Sequence, residues 1–223
     1  MPRGSQPLSR ERVLDAAIRV ADRGGAESIS MRRVAQELGV EAMSLYHHVP
    51  NKEAILDGVV DAVFAAIDLP DTGRVDWRDA IRVRAHSARQ VLSQHRWALG
   101  LMDSRRNPGP ATLHHHDAVL GVLKAAGFTL ADASHAVSLI DSYIGGYVLQ
   151  EANLPAATPA DVEDVASDIL ERLPADRYPH LRELITDHAL RPGYDHTGEF
   201  TYGLDLILDA LEARRGPGQA GIP

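Results

Sequence analysis

The chain predicts an all-α fold, and three observations carry that prediction. Apolar residues recur at spacings of three and four through most of its length, the period of helices that bury one face. Ser, Asn and Thr stand at the starts of these periodic stretches and Gly at their ends, the residue types that cap and stop helices. No run alternates apolar and polar residues with β-branched character, and no Asn-Gly pair joins two such runs, so strand signals are absent.

The bulk properties bound the function classes. A chain of 223 residues holds one or two domains. At 44% hydrophobic and 24% charged, it has the composition of a water-soluble globular protein. No apolar run approaches the ~18–20 residues that cross a membrane, and residues 1–7 lack the apolar core of a signal peptide. Cysteine is absent, which excludes disulfides and thiolate metal sites. Cytoplasmic residence is expected. The net charge of −8 argues against a surface coated for nucleic acid, but the charge is uneven. Residues 1–55 carry 8 Lys and Arg against 7 Asp and Glu, and the remainder carries 15 against 24. A nearly neutral head therefore precedes an acidic body that would discourage wrong-way docking on an anionic partner.

Residues 1–8, with Pro, Gly and Ser, are expected to be disordered. Ser9 is placed to cap a first helix with Val13, Ala17, Ile18, Val20 and Ala21 as its apolar stripe and Gly24-Gly25 as its stop. Arg10 and Arg12 at its start can lie along a phosphate backbone or simply be solvated. Ser30 is placed to cap a second, short helix over 31–38, with Val34 and Leu38 on one face and small Ala35 beside them. Gly39 supplies a left-handed stop. A third short helix over 41–48 turns Leu45 and Val49 inward and Ala42, Met43, Ser44, Tyr46 and His47 outward. Pro50-Asn51-Lys52 then opens a fourth helix, with Asn51 as cap. Lys52 in its first turn can pair with a phosphate that also meets free amides. Two short helices joined by a Gly turn, the second displaying hydrogen-bonding side chains, form the pattern of a helix-turn-helix. The same spacing also fits an ordinary helical hairpin, with Tyr46 as core.

The run Gly39-Val40-Glu41-Ala42-Met43-Ser44-Leu45-Tyr46-His47-His48-Val49-Pro50-Asn51-Lys52-Glu53-Ala54-Ile55-Leu56 resembles the DNA-binding signature of TetR-family transcriptional repressors. Its Leu45–Lys52 core is especially similar to the tetracycline-repressor subgroup. The resemblance implies that Arg32, Ala42, Met43, Ser44, Tyr46, His47 and Lys52 meet double-stranded operator DNA. Ser44, Tyr46 and His47 would offer hydrogen bonds, Ala42 and Met43 apolar contact with thymine methyls, and Arg32 and Lys52 mainly phosphate contacts. No Arg, Asn or Gln projects from the third helix to give bidentate base readout.

The fourth helix is expected to run to about Ile67, through Ile55, Leu56, Val59, Val60, Val63 and Phe64. The boundary between a DNA-binding domain, 9–56, and a body domain, 57–215, is placed inside it, so that head and body share a lever. Beyond it, helices are expected from Asp76 to about Gln94, from His95 to about Asp103, and from about Ala111 to Ala126. Thr129 and Asp132 form a capping box for a long helix reaching about Asn153. Its Gly145-Gly146 pair makes sense where another backbone comes close. In 154–198 the pattern weakens, with short helices from Thr158 and over 180–190, and a last helix spans about 200–214. Residues 216–223 are expected to be disordered.

The body also resembles the C-terminal domain of that subgroup, through Gly127-Phe128-Thr129-Leu130 and Gly145 to Leu149. This implies an effector cavity and a homodimer built by the long helix and the last helix. Where the subgroup ligates a drug-bound metal, this chain has Asp103, Ser142 and Gln150, so a more apolar small-molecule effector is expected. Candidate effector contacts are His86, Trp97, Met102, Asp103, His116, Tyr143 and Tyr147, each of which also fits plain core. Consecutive His114, His115 and His116 splay about 100° apart on a helix and cannot share one ion, so a surface triplet with one inward member is expected and no metal or cofactor. No metalloprotease, phosphate-loop or nucleophile-elbow motif is present, which speaks against an enzyme. The function expected is a ligand-responsive repressor released from a palindromic operator by its effector. An activator or co-repressed regulator on the same fold, an all-α enzyme using the body cavity, and a helical interaction module remain alternatives.

Overall fold

The computed structural model describes residues 7–69, 76–102, 104–154, 159–174, 177–191 and 196–215. Asp103, residues 1–6 and residues 216–223, on which sequence expectations fell, lie outside these. Among the described residues there are eleven α-helices and no strand. No helix among them is long and apolar enough to cross a membrane. The chain divides into two compact units, Met1–Val148 and Leu149–Pro223.

The first unit begins with α1 (Arg10–Gly24), whose first turn is capped by Ser9 Oγ accepting from the Arg12 amide at 3.3 Å. A 3-10 turn at Ala26–Ser28 leads to α2 (Met31–Leu38), α3 (Ala42–Leu45) and α4 (Lys52–Ala65). Val13, Ala17, Ile29, Val34, Leu45, Val49, Ile55 and Val59 close into one buried core. Leu38, expected on the same face as Val34, is half-buried, as is Val40, and both pack on its rim. Glu37 of α2 clamps α1 by accepting hydrogen bonds from Arg19, at 2.9 Å, and Arg23. Those two guanidinium contacts hold its carboxyl below the ordinary carboxylate range.

The rest of this unit holds α5 (Trp77–Gln94), a 3-10 turn at Arg96–Ala98, α6 (Leu99–Met102), α7 (Pro110–Ala125) and α8 (Leu130–Asn153), which crosses the unit boundary. Trp77 meets Phe128 edge-on at 5.0 Å. Thr129 caps α8, its Oγ1 accepting from the Asp132 amide at 3.1 Å and donating to Asp132 Oδ2 at 2.5 Å. A Cβ on Gly145 would meet only the Leu99 side chain, at 3.6 Å, and one on Gly146 would meet nothing within 4 Å. Among the described residues, then, no other backbone comes within 4 Å of where these Cβ atoms would stand.

Helix α4 divides its surface between two partners. Ile55, Leu56 and Val59 enter the core of the head. Glu53, Asp57, Asp61 and Phe64, spaced as one helical stripe, face the segment from Arg105 to His116. Arg105 reaches Glu53 at 3.1 Å and Asp57 at 3.6 Å. Asp61 Oδ1 accepts from the Thr112 amide at 2.8 Å and from Thr112 Oγ1 at 3.0 Å. Phe64 packs against the rings of His115 and His116, 5.2 and 5.4 Å between centroids. Asp61 thereby caps α7, which has no side-chain cap of its own. The approach requires glycine at 109, because a Cβ there would stand 2.2 Å from the Asp61 carboxylate.

The second unit holds the end of α8, then α9 (Pro159–Arg172), α10 (Pro179–Leu184) opening into a π-turn at Ile185–Ala189, and α11 (His196–Arg214). Helix α9 is longer than the short helix expected. Val162, Val165, Ala166, Ile169 and Leu170 keep a three-and-four spacing that the surrounding Pro and Asp obscure. Helix α11 starts at His196 rather than near Phe200. Phe200, Leu204 and Leu208 are fully buried, whereas Tyr202 and Leu206 are 67% and 54% exposed.

The turn after α2 has Gly39 at φ 67°, ψ 32°. The Val40 amide reaches Ala35 O at 3.0 Å and the Gly39 amide Gln36 O at 3.2 Å, the two bonds of a Schellman ending. Among the described residues beyond its chain neighbours, a Cβ at 39 would meet nothing within 4 Å, so the cost of Gly39→Ala is that of the left-handed backbone. That substitution is expected to destabilise the chain by ~1–2 kcal/mol, measured by urea unfolding. An unchanged midpoint would refute this account of the turn.

Candidate nucleic-acid interface and the polar cluster behind it

The helix-turn-helix is built by three local devices. Ser30 Oγ accepts from the Arg33 amide at 3.2 Å and starts α2. Gly39 turns the chain, and the burial of Leu45 and Val49 fixes which side of α3 faces outward. Asn51 Oδ1 accepts from the Ala54 amide at 2.8 Å, which starts α4 with Lys52 as its first residue.

Of the residues expected to meet DNA, Met43 is 74% exposed and Tyr46 47%, and Arg32, His47 and Lys52 are exposed as well. Ala42 and Ser44 are half-buried. Tyr46 thus stands outside the core of the isolated protomer. A large exposed Met and Tyr on one short helix, beside exposed Arg32 and Lys52, make a surface with apolar, hydrogen-bonding and cationic parts. Such a surface can meet base edges and phosphates together.

The third helix is shorter than the 41–48 expected. Regular α-helix covers only Ala42–Leu45. The Tyr46 amide bonds Met43 O at 3.3 Å and the His48 amide Leu45 O at 2.9 Å, so the turn tightens toward 3-10 geometry. The reason lies in Val49-Pro50: a residue before proline is driven out of the helical region, so the helix must end upstream. Tyr46 and His47 therefore project from this tightened turn.

The candidate effector residues separate into groups. Tyr143 and Tyr147, one turn apart on α8, have ring centroids 6.1 Å apart, and the Arg89 guanidinium lies 5.0 Å from the Tyr147 centroid, a cation–π distance. His86 and Met102 are half-buried. Trp97 turns the other way, its Nε1–H donating to Asp22 of α1 at 2.7 Å, where His95 Nδ1 also lies 2.8 Å from the same oxygen. It thus belongs to the seam between α1 and the turn after α5.

The histidine triplet has one inward member, but it is His115 and not the candidate His116. His115 is 1% exposed, and His116 is exposed at the edge of Phe64. His115 Nε2 accepts from Arg84 Nε at 3.1 Å, and Arg84, 4% exposed, donates through Nη1 to Asp141 at 2.5 Å. Burial first, and the Arg84 charge second, push His115 down to about 3, so the ring is neutral. Arg84 and Asp141 were not singled out from sequence. Their signal was a charge inside an apolar stripe: Arg84 between Ile81 and Ala85 and Ala88, and Asp141 beside Ile140 and Ile144. Among the described residues no group of three or more His, Cys, Asp or Glu could hold a metal ion.

Comparison with known proteins bears on both regions. The profile of the family described as bacterial regulatory proteins, tetR family, matches residues 13–59, and that of the tetracyclin repressor-like C-terminal domain matches residues 69–215. The chain is 35% identical to the HTH-type transcriptional repressor DrrR1 of Streptomyces coeruleorubidus, over 96% of this chain and 83% of that protein. It is 31% identical to the tetracycline repressor protein class C of Escherichia coli, over 93% and 92%. The fold is similar to ActR of Streptomyces coelicolor, solved in complex with actinorhodin, with a TM-score of 0.76, 27% identity and coverage of 95% and 98%.

The state of His115 has a consequence for acid stability. Its pKa is ordinary in the unfolded chain, ~6.5, and about 3 in the folded one, so protonation favours unfolding. This contribution is fully present above pH ~6.5 and is lost as pH falls toward 3. Between pH 7 and pH 5 it amounts to about 2 kcal/mol. Urea unfolding of the wild type should show that loss, and His115→Gln should lack it. Equal acid slopes in the two chains would refute the assignment.

Proposed function

The chain belongs to the TetR family of bacterial regulatory proteins and is a ligand-responsive DNA-binding transcriptional repressor; we propose that it acts as a homodimer released from a palindromic operator when its effector binds. The observation that carries the proposal is the division of α4. One face of this helix builds the head that holds α3, and its stripe from Glu53 to Phe64 is latched to the body segment Arg105–His116. A change in the position of α7 is transmitted along α4 to Asn51-Lys52 and α3.

On the operator, α3 and the turn after it enter the major groove, with Ala42, Met43, Ser44, Tyr46 and His47 toward the bases. Arg32 and Lys52 hold register on phosphates, Lys52 beside the free amides at the start of α4. Two heads of a dimer read half-sites ~34–36 Å apart. The dimer is proposed to form through α8 and α11. Support for this comes from the exposed large side chains Leu139 and Leu149 on α8 and Tyr202 and Leu206 on α11, and from the open space over Gly146. The effector is proposed to be a largely apolar organic molecule received by the body near His86, Met102, Tyr143 and Tyr147. It shifts the equilibrium only by binding the released conformation more tightly.

The test begins with selection of bound fragments from random duplex DNA, followed by a compound screen for release, read by fluorescence anisotropy. Palindromic fragments and release are expected. A compound that tightens binding would overturn the repressor reading in favour of a co-repressed regulator. On the selected fragment, Lys52→Ala is expected to weaken binding and lower the salt slope by about 0.9, one phosphate's worth. Tyr46→Ala should abolish operator binding and leave the dimer intact in sedimentation. An unchanged salt slope, or loss of the dimer, would contradict the role given to that residue.

A further inference from the structure

The polar cluster of the body contains a hydrogen-bond donor with no partner among the described residues. Arg84 Nε carries a hydrogen and no lone pair, so in the 3.1 Å contact with His115 Nε2 the imidazole accepts. A neutral imidazole that accepts at Nε2 carries its proton on Nδ1. That Nδ1–H is buried and meets no acceptor among the described residues. A buried donor without a partner costs free energy that a bound acceptor would recover. The cluster is also balanced in charge: Arg84 is offset by Asp141 at 2.5 Å, and the ring is neutral. An ionic ligand oxygen would upset this balance, whereas an uncharged one would not.

The position of this donor matters as much as its chemistry. His115 lies one helical turn beyond Thr112 on α7, and Phe64 lies one turn beyond Asp61 on α4. The two helices are therefore joined at two successive levels, Asp61 to Thr112 and Phe64 to His115. A group drawn to His115 acts on the ring that packs against the lever.

We propose that His115 Nδ1–H is the hydrogen-bond donor for an uncharged carbonyl oxygen of the effector, anchored where α7 meets α4. This rests on the effector reading above and adds to it the chemical class and the residue that selects for it. The Arg84–Asp141 pair holds the ring in the donating tautomer.

The experiment uses the full chain labelled with 15N-histidine and three probe pairs that differ in one oxygen: fluorenone and fluorene, xanthone and xanthene, benzophenone and diphenylmethane. At least one ketone is expected to shift the His115 Nδ1–H resonance and to bind about tenfold tighter than its hydrocarbon, the effect of one neutral hydrogen bond. His115→Gln keeps an acceptor for Arg84 but has no group at the Nδ1 position, so it should fold and lose the preference. His115→Asn places an N–H near Nδ1 and should keep part of it. If no ketone moves the resonance, or the preference survives in His115→Gln, the proposal is overturned and Nδ1–H serves a buried water only. Operator release measured in parallel separates the two levels. A compound that releases DNA from wild type and His115→Gln alike removes this proposal and leaves the repressor standing. Failure of the unliganded chain to bind any selected duplex removes the repressor reading itself.

Discussion

The carboxylate of Asp61 caps a helix to which it does not belong. Helix α7 opens with Gly109-Pro110-Ala111-Thr112, a start with no capping side chain, and the free amide of Thr112 finds its acceptor on α4 instead. The absent side chain of Gly109 leaves room for that carboxylate. Replacing this bond by water would require the two helices to part, and Phe64 would then lose its contacts with His115 and His116. The position of α4 is thus specified by polar geometry and by packing at adjacent levels. Helix α4 also contributes Ile55 and Val59 to the core of the head, so its position sets that of the head. The second tie, Trp97 and His95 on Asp22, joins α1 to the turn after α5.

This arrangement explains how so short an element as α3 can be held in a fixed orientation. A four-residue helix has no stability of its own, because nucleation is unfavourable and it closes almost no intrahelical bonds. Its orientation comes from outside: the left-handed Gly39, the buried Leu45 and Val49, and the extended chain imposed by Pro50 before the Asn51 cap. The outward side chains Met43, Tyr46 and His47 are placed by what the inward ones bury. The near-neutral charge of the head fits a module that holds few phosphates and relies on duplication across a dimer for affinity.

The body departs from an apolar core at Arg84 and His115. Burying Arg84 and His115 is unfavourable unless each is partnered. Arg84 is satisfied by a carboxylate and by the imidazole, and the imidazole is satisfied on one side only. On the proposal made above, the open side of the imidazole serves an acceptor oxygen of the ligand. This also modifies the expectation of a simply apolar effector, since one acceptor oxygen suits the residues present.

Much was legible in the sequence. The helical class followed from spacing, and the caps at Ser9, Ser30, Asn51 and Thr129 and the turn at Gly39 followed from residue type, because all of these are governed by neighbours within four positions. The outward placement of Met43, Tyr46 and His47 was legible for the same reason, once Leu45 and Val49 were assigned inward, whereas Ala42, expected outward, packs partly on the core. What tertiary structure decided depends on residues far apart in the chain. Nothing near Asp61 shows that its partner is Thr112, 51 positions away. Nothing near His115 tells it from His116, because which of two adjacent helical residues faces inward depends on where α4 and α5 lie. Trp97, a candidate effector contact that also fitted plain core, is held at the head by Asp22, 75 positions distant. Local backbone preferences thus determined the parts of this protein, and the long-range placement of a few polar groups decided how those parts are coupled.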